Sequence, residues 1–558
     1  MKQPPDARVT PEIAREICQR TSSAAVIDGS IAQIGTQYSL ILRAVNCANG
    51  ESLASTEAQA GDKSHVLEAL GKASSDIRKK LGESLATLQK FDTPLEQATT
   101  PSLEALQAYN LAYKAILEKA DFAAAISLLQ QAIRLDQNFA MAYVTLGYAY
   151  VNIREDVFAS ENIRKAFELR ASASERERLW IEYECQHFVT GNLDKAQQAC
   201  EVWVRTYPRD EKAREAQGRL FGELGEPEKA IAVYRETLRL NPKGDPLNVN
   251  ALSLGIIHAE IRLDRLEEAR AAAEEAKAKN IDSPIFRMLL YFLASLQGDR
   301  LGMEQQVAFA AGKPGLEDLF LDFEARQAAY SGQLEKARTL FRKAVGSAER
   351  AYKKEVAAGY EEEAALTEAL VGNQAQAGQW AASALSLSTG RDVQYRAALA
   401  LALAARVFRA QTLAHDLGSR FPEDTLAQFN YLPTLQAQLA LSRNDAPKAI
   451  EALQGAAPYE RAITAPLFPA YVRGLAYLAA RRGSEAAPEF QKILDHRGLV
   501  WNSPIGPLAH IQIGRAFVMQ GDRAKAKAAY KDFLALWKDA DPDIPILKQA
   551  KAEYAKLP

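Results

Sequence analysis

The sequence predicts a mainly α-helical solenoid of about twelve helical hairpins, with a small amino-terminal α/β domain. Three observations support this fold class. A short Gly-led segment recurs along the chain, alanines follow it at a regular spacing, and the first hundred residues or so alternate with period two instead. A repeat that cannot bury its apolar face alone must stack on copies of itself, so the repetition itself predicts the solenoid.

The recurring segment joins a tight turn to an Ala-centred amphipathic helix. Four clear copies are Gly191-Asn-Leu-Asp-Lys-Ala196, Gly225-Glu-Pro-Glu-Lys-Ala230, Gly332-Gln-Leu-Glu-Lys-Ala337 and Gly521-Asp-Arg-Ala-Lys-Ala526. Weaker copies lie between them, and successive anchors are 34 to 40 residues apart. The anchors are Ala125, Ala159, Ala196, Ala230, Ala269, Met303, Ala337, Ala377, Ala414, Ala449, Ala487 and Ala526. This spacing is typical of a helix–turn–helix repeat of about 34 residues whose loops vary in length.

Motif residues indicate which repeat this is. The segment Tyr143-x-x-Leu146-Gly147-x-x-Tyr150 places an aromatic, a Leu-Gly pair and a second aromatic on one helix, and a later copy keeps Gly218, Tyr234 and Pro242. Over residues 101–540 the chain resembles the tetratricopeptide repeat family. The resemblance implies paired helices that approach closely at small residues, with aromatic side chains filling the gap to the next unit.

The amino-terminal residues follow a different pattern. We predict a helix at 11–21, strands at 24–34, 37–47 and 51–60, and a helix at 63–82, with Asn49-Gly50 in a hairpin turn. This order resembles the small α/β module that precedes helical repeats in many bacterial regulators. In that resemblance further strand elements come first, so we expect the chain to be the carboxy-terminal part of a longer protein.

The predicted domain order is a small α/β module at 1–92, a linker at 93–101, the repeat solenoid at 102–540 and a capping helix at 541–558. This combination resembles the non-catalytic region of bacterial transmembrane serine/threonine kinases, or of winged-helix transcriptional regulators with the same tail. The resemblance implies a sensing or docking part attached to an output domain. The chain itself has no glycine-rich phosphate loop, no His-Arg-Asp loop and no Asp-Phe-Gly, so we expect no phosphoryl transfer from it.

Composition narrows the classes of partner. The 558 residues are 48% hydrophobic and 25% charged, and 68 basic against 70 acidic residues leave a net charge of −2. No overall field favours nucleic acid, and no apolar stretch is long enough to span a membrane, so neither partner is expected. No cofactor or metal is expected either, because the six histidines lie far apart and none forms an H-E-x-x-H motif. Two compartments fit the sequence: the cytoplasm or, if the chain is the tail of a membrane-anchored regulator, the extracytoplasmic space.

Several chemically reactive side chains are assigned structural roles. His187 and His510 occupy packing slots that hold aromatics in other copies, and the carboxylates of Glu361-Glu-Glu363 are expected on a solvated helix face. We expect the four cysteines to be free, buried thiols. The alternative is pairing of Cys18 with Cys47 and of Cys185 with Cys200, which would indicate an oxidising compartment.

The predicted function is a protein–protein interaction scaffold, not an enzyme, that binds a peptide or protein in its concave groove. In the family, the first helix of each unit lines the groove, which implies contacts here at Tyr148, Asn152, Phe188, Arg219 and Glu223. Aromatic residues and arginine are frequent interface anchors. The alternative for Tyr148 and Phe188 is packing between neighbouring units. The alternative function is a ligand-sensing region of a bacterial serine/threonine kinase or transcriptional regulator whose output domain is absent from this chain.

Overall fold

The computed structural model describes residues 10–20, 23–83, 100–119, 121–241 and 246–557. The chain forms two compact units, one of Met1–Tyr150 with Ala159–Glu184 and one of Val151–Phe158 with Cys185–Pro558. Most of the predicted linker, the end of the predicted α/β module at residue 92, and Pro242 lie outside the described residues.

The first unit begins with a three-stranded antiparallel sheet, which confirms the predicted order of elements. They are α1 (Pro11–Arg20), β1 (Ala25–Ile34), β2 (Gln37–Asn46), β3 (Ser52–Ala60), a 3₁₀ turn (Lys63–His65) and α2 (Val66–Lys80). Ile31 lies opposite Leu40 in the β1–β2 register, and the β2–β3 register shifts between Ala44 and Val45. Leu40 and Ala60 pack against Val66 and Ala69, so α2 covers one face of the sheet.

A disulfide between Cys18 and Cys47 joins α1 to the end of β2. The expectation of four free thiols is therefore wrong for this pair, while Cys185 and Cys200 are buried thiols outside any disulfide, as predicted. The physical reason lies in the docking of α1, because Arg15 Nε donates to the Cys47 carbonyl at 3.0 Å and the Cα atoms of the two cysteines are 5.8 Å apart.

From residue 103 onward the described helices follow one another as twelve helix–turn–helix units. The first six are α3 (Leu103–Lys119) with α4 (Phe122–Leu135), α5 (Ala140–Asn152) with α6 (Asp156–Leu169), α7 (Glu175–Glu184) with α8 (Leu193–Thr206), α9 (Glu211–Glu223) with α10 (Pro227–Leu240), α11 (Pro246–Arg262) with α12 (Leu266–Ala278), and α13 (Pro284–Gln297) with α14 (Arg300–Ala310).

The last six units complete the array. They are α15 (Glu317–Tyr330) with α16 (Leu334–Arg350), α17 (Lys354–Val371) with α18 (Gln374–Leu387), α19 (Arg391–Leu403) with α20 (Val407–Arg420), α21 (Leu432–Leu441) with α22 (Ala446–Ala452), α23 (Phe468–Ala479) with α24 (Gly483–Leu494), and, after the single turn α25 (Arg497–Val500), α26 (Ile505–Gln520) with α27 (Arg523–Leu536). The helix α28 (Pro545–Ala555) follows them. Two π-helical turns interrupt this pattern, one after α7 (Cys185–Val189) and one before α21 (Ala427–Tyr431).

Each predicted anchor lies in the second helix of its unit. All but two are the fourth residue of that helix. The two exceptions are wrong predictions, because Ala414 is the eighth residue of its helix and Ala487 is the fifth. The position belongs to Ala410 and Ala486, which are fully buried, whereas Ala414 and Ala487 each keep 8% of their surface exposed. Alanine-rich helices offer several candidates at helical spacing, so sequence alone did not separate them.

The turn inside each unit contains a residue in the left-handed region. It is found in every unit whose turn the structure describes, namely at Arg154, Gly191, Gly225, Asp264, Gly298, Gly332, Gly372, Ala405, Asn444, Arg481 and Gly521. Left-handed backbone is strained for residues with a Cβ atom, which explains why the clear copies of the segment begin with glycine.

The second unit coils so that the turns inside several repeats touch loops five or six repeats later. We call this set of contacts the seam. It joins residues 155–157 to 355, 191–195 to 423–425, 225 to 461, 264 to 498, and 330–335 to 537–541. The backbone takes part directly, since Thr425 N donates to Gly191 O at 2.9 Å and Asp541 N donates to Gly332 O at 3.0 Å.

No described helix is both long and apolar enough to cross a membrane.

Candidate functional site

Two of the predicted contact residues lie on α5. Tyr148, in the first unit, is half-buried, and its ring meets the ring of Phe122 from the neighbouring repeat edge-on, at 6.5 Å between centroids. This contact matches the packing alternative for Tyr148. Asn152, at the end of α5, belongs to the second unit and is also half-buried.

The other three predicted residues come together in the second unit. Phe188 lies on the π-helical turn after α7, and the guanidinium of Arg219 on α9 is 5.4 Å from the centroid of its ring. Glu223, one helical turn after Arg219, accepts a hydrogen bond from His187 Nε2 at 2.5 Å. The inserted residue of a π-helical turn changes the direction of the side chains beside it, and such turns are frequent at functional sites.

His187 is buried, as the sequence analysis predicted. The structure adds a role that the sequence did not show, because His187 also orients Glu223. Burial by itself would raise the pKa of Glu223, but His187, Arg219 and Arg391 outweigh this effect and the pKa is lowered. Glu223 is therefore an ionised carboxylate held in one orientation. Arg391, the third of these cations, is on α19 in the ninth repeat.

We call the side formed by the first helices of the repeats the inner face. On it, arginines hold carboxylates of a neighbouring repeat. Arg326 Nε donates to Asp322 at 2.7 Å, and its Nη1 lies 2.9 Å from Glu363. Arg396 Nη1 lies 3.0 Å from Glu363 and 3.2 Å from Glu362. We call these five side chains the inner ladder; it links α15, α17 and α19.

The prediction that Glu361-Glu-Glu363 lies on a solvated face is wrong. The three glutamates are 6%, 4% and 5% exposed. Their partners include arginines more than thirty residues away along the chain, which a charge pattern within one helix does not reveal. Burial raises the pKa of Glu362 well above its usual range although Arg396 opposes this, and it also raises the pKa of Asp322.

A second charged group lies beside the inner ladder. Arg391 donates to Asp392 at 2.8 Å and to Asp424 at 2.6 Å, and the hydroxyl of Tyr431 donates to Asp392 at 3.0 Å. Tyr431 belongs to the second π-helical turn and stacks on Tyr395 with 3.9 Å between ring centroids. Both π-helical turns therefore place an aromatic residue beside charged groups of the inner face.

Sequence reasoning did not identify Arg326, Arg391, Arg396 or Tyr431 as members of this surface. One signal was present, since Arg396 directly precedes an alanine-rich stretch of the kind that forms buried helices. An arginine at the edge of such a helix needs a buried carboxylate partner.

The surface offers charged and aromatic contacts. Burial raises the pKa of the Cys200 thiol to about 12, which makes it a poor nucleophile at neutral pH. Within the described ranges, no group of three or more His, Cys, Asp or Glu side chains has the geometry to hold a metal ion.

One family model and several solved structures are similar to this chain. A model of the tetratricopeptide repeat family matches residues 212–243, which correspond to the repeat of α9 and α10. Similar solved structures include yeast Tom70 (14% identity, TM-score 0.31, covering 81% of this chain and 95% of that chain) and the APC/C hetero-tetramer Cut9-Hcn1 (10%, 0.30, 81% and 99%). A third is PilW, a type IV pilus biogenesis factor (15%, 0.27, 38% and 94%).

No curated protein matches the chain. None of these comparisons supports the resemblance to kinase or transcriptional-regulator tails. The matched repeat of α9 and α10 has the same turn and the same buried alanine as the repeats before and after it. The chain therefore contains a tetratricopeptide repeat at residues 212–243, within an array of similar helix–turn–helix units.

Proposed function

We propose that this chain is a non-catalytic scaffold that binds a protein partner on its inner face, with Phe188 and Arg219 as the central contacts. Tetratricopeptide arrays are protein-interaction folds, and their concave surfaces hold extended or helical segments. One observation supports this location above others. Phe188 is partly buried and keeps some of its surface accessible, and Arg219 lies over its ring, so an aromatic and a guanidinium are presented together.

The neighbouring side chains suit such a contact. Glu223 is fixed by His187, so a partner meets a carboxylate of defined orientation one helical turn from Arg219, whose Nε lies 3.9 Å from Glu215 Oε1. This arrangement favours a partner segment with an apolar residue next to polar or charged ones. Asn152 and Tyr148 on α5 would contribute further contacts within their own units. The seam links repeats that are distant in the sequence and so closes the side of the second unit. We therefore expect the partner to reach this face along the axis of that unit.

Site-specific photo-crosslinking tests the location directly. The photoreactive analogue p-benzoylphenylalanine replaces Phe188 in one sample and Tyr352, which is 91% exposed in the loop between α16 and α17, in a control sample. We expect the probe at position 188 to crosslink a defined partner that the probe at position 352 does not reach. Equal crosslinking from both positions, or crosslinking from position 352 alone, would contradict the proposal.

Affinity measurements with the partner so identified provide the second test. Phe188→Ala with Arg219→Gln removes both central contacts, and Tyr352→Ala with Arg300→Gln makes the same chemical changes at exposed positions. Loss of an aromatic and an arginine hot spot costs about 2 kcal/mol or more, so we expect the affinity to fall by at least about tenfold in the first variant only. Circular dichroism checks that both variants are folded, and equal affinities would exclude this surface.

A further inference from the structure

A cleft with a volume of about 580 Å³ lies in the second unit between α20, α21 and α22. It shares no residue with the inner-face surface proposed above. Its walls are the second helix of the ninth repeat and both helices of the tenth, so it opens between two neighbouring repeats.

Two features of the sequence contribute to the cleft. Four residues after the buried alanine of the second helix, four other repeats place a large buried aromatic, namely Tyr234, Phe341, Phe490 and Tyr530, while the fifth and eighth repeats place Ala273 and Ala381. In the ninth repeat the corrected anchor is Ala410, so this position holds Ala414. Gly418, one turn later, adds no volume. The helix α22 has only 7 residues and is followed by the 3₁₀ turn Gln454–Tyr459, so it covers less of the cleft than a full-length second helix would.

The cleft has an apolar floor and a mainly cationic rim. The floor is formed by Ala414, Gly418, Leu432, Leu439, Ala440 and Ala452. The charged residues of the rim are His415, Arg443, Lys448 and Asp445, of which the first three are basic side chains exposed to solvent.

Two contacts define the charge at the rim. Arg443 Nη2 donates to Gln411 Oε1 at 2.7 Å, which holds the guanidinium across the rim from α21 toward α20. The single acidic residue, Asp445, accepts a hydrogen bond from Lys448 N at 3.1 Å as the N-cap of α22, which directs one of its oxygens to the start of that helix and leaves the basic side chains in excess at the rim. An anion at the rim therefore meets Arg443 and Lys448.

We propose that this cleft binds a small apolar carboxylic acid, whose aromatic or branched aliphatic part fills the floor while its carboxylate meets Arg443 and Lys448. The volume falls within the range of small-ligand pockets, which combine an apolar lining with a few convergent polar groups. Guanidinium groups pair well with carboxylates, and the cationic excess at the rim disfavours amines.

The test uses 4-phenylbutyrate and its uncharged amide, 4-phenylbutanamide, as probes of the full chain in isothermal titration calorimetry. We expect the acid to bind at least about tenfold more tightly than the amide, the difference that one charge-assisted hydrogen bond provides. Arg443→Gln is expected to abolish this preference. Arg409→Gln, an exposed arginine of α20 outside the cleft, is the matched control and should leave it unchanged.

Filling the cleft tests its location. Ala414→Phe places an aromatic where four other repeats have one, so the fold should be retained and binding of the acid lost. If Ala414→Phe fails to fold, Ala452→Phe fills the same cleft from α22 and replaces it. Equal binding of acid and amide, no binding of the acid to the wild type at millimolar concentration, or full binding to the filled variant would overturn the proposal. Binding of a peptide ending in phenylalanine but not of 4-phenylbutyrate would assign the cleft to a protein carboxy terminus and would also overturn it.

Discussion

At the residue scale, the glycines of the recurring segment serve two different purposes. Gly225 and Gly521 both have positive φ, +80° and +78°, and both end the first helix of a repeat. A Cβ atom at Gly225 would lie 2.8 Å from the Cβ atom of Arg461 across the seam, whereas the space around Gly521 is open. Gly521 is needed only for its left-handed backbone conformation. Gly225 is also needed because Arg461 leaves no room for a Cβ atom.

This difference predicts unequal costs of the same substitution. Gly521→Ala should cost about 1 to 2 kcal/mol for a left-handed alanine. Gly225→Ala should cost about 1 to 3 kcal/mol more, because the seam must move to admit the Cβ atom. Guanidinium unfolding followed by circular dichroism measures both, and equal losses would show that the seam at Gly225 is not rigid.

Glu355, at the seam, makes the free energy of unfolding depend on pH. Its carboxylate accepts from Val157 N at 2.9 Å, its own backbone N–H donates to Glu155 at 3.2 Å, and burial together with Asp156, Glu155 and Asp392 raises its pKa to about 7. A carboxyl group whose pKa is raised on folding binds its proton more tightly in the folded state. It therefore adds stability below its unfolded pKa of about 4.5, and this stability is lost as the pH rises through about 7.

The prediction compares the wild type with Glu355→Gln. Between about pH 4 and pH 8, the free energy of unfolding of the wild type should fall by roughly 3 kcal/mol relative to that of the variant. Urea unfolding at several pH values measures this difference. A difference that is constant with pH would mean that the pKa of Glu355 is not raised.

At the scale of elements, the inner ladder connects helices that the chain order separates. Arg396 on α19 holds Glu362 and Glu363 of α17 and donates to the carbonyl of Thr464 at 2.6 Å. Its side chain is 20% exposed, while those of the two glutamates are 5% and 6% exposed. Removal of the arginine leaves the buried Glu362 without its cation and Glu363 with Arg326 alone, which costs more than the loss of a surface ion pair.

Arg396→Met should therefore lower the free energy of unfolding by about 3 to 5 kcal/mol. The matched control is Arg300→Met, because the side chain of Arg300 is 86% exposed and pairs with Glu304 on its own helix. There we expect a loss below about 0.5 kcal/mol. Similar losses in the two variants would contradict the view that burial makes the inner ladder important.

The disulfide is the other device that joins elements, since it ties α1 to β2 across a sequence separation of 29 residues. In denaturant without reductant, the chain should show two reactive thiols, those of Cys185 and Cys200, and after reduction all four cysteines should react. Replacement of Cys18 and Cys47 by serine should destabilise the first unit by about 3 kcal/mol, as expected for a loop of this length. Four reactive thiols before reduction would contradict the bond.

At the scale of the molecule, the second unit is stabilised by contacts that do not exist within any single repeat. Trp537 is 2% exposed, and its indole Nε1 donates to the Tyr330 carbonyl at 2.9 Å across the seam. The backbone N–H of Glu335 donates to the Asp541 carboxylate at 2.9 Å nearby. In an open array each repeat contacts only its neighbours, whereas here the loss of one contact should affect both sides of the seam.

Trp537→Ala tests this coupling. We expect faster amide hydrogen exchange at both Glu335 and Asp541, whose backbone donors cross the seam, with a loss of about 3 to 5 kcal/mol for the buried tryptophan. Trp380→Ala on α18, outside the seam contacts, is the control and should leave exchange at those two amides unchanged. Faster exchange at only one of these two amides would mean that the two sides of the seam open independently.

How much the sequence predicts differs between the fold and the candidate site. The repeat length, the second-helix position of the anchors and the three strands were predictable, because they depend on local periodicity and turn chemistry. The register at Ala414 and Ala487 was missed, since neighbouring alanines fit the pattern almost equally well. Phe188, Arg219 and Glu223 were named from the family resemblance, but their link through His187 was not foreseen.

The sequence by itself determined the helix–turn–helix repeat, the number of repeats and the amino-terminal strands, because these follow from the spacing of residues within about forty positions. Only the tertiary structure decided which glycines lie at the seam, which glutamates are buried against arginines of other repeats, and where an alanine leaves a cleft. Those features depend on groups that the coil brings together from 30 to more than 200 residues apart, and single-sequence periodicity contains no information at that range.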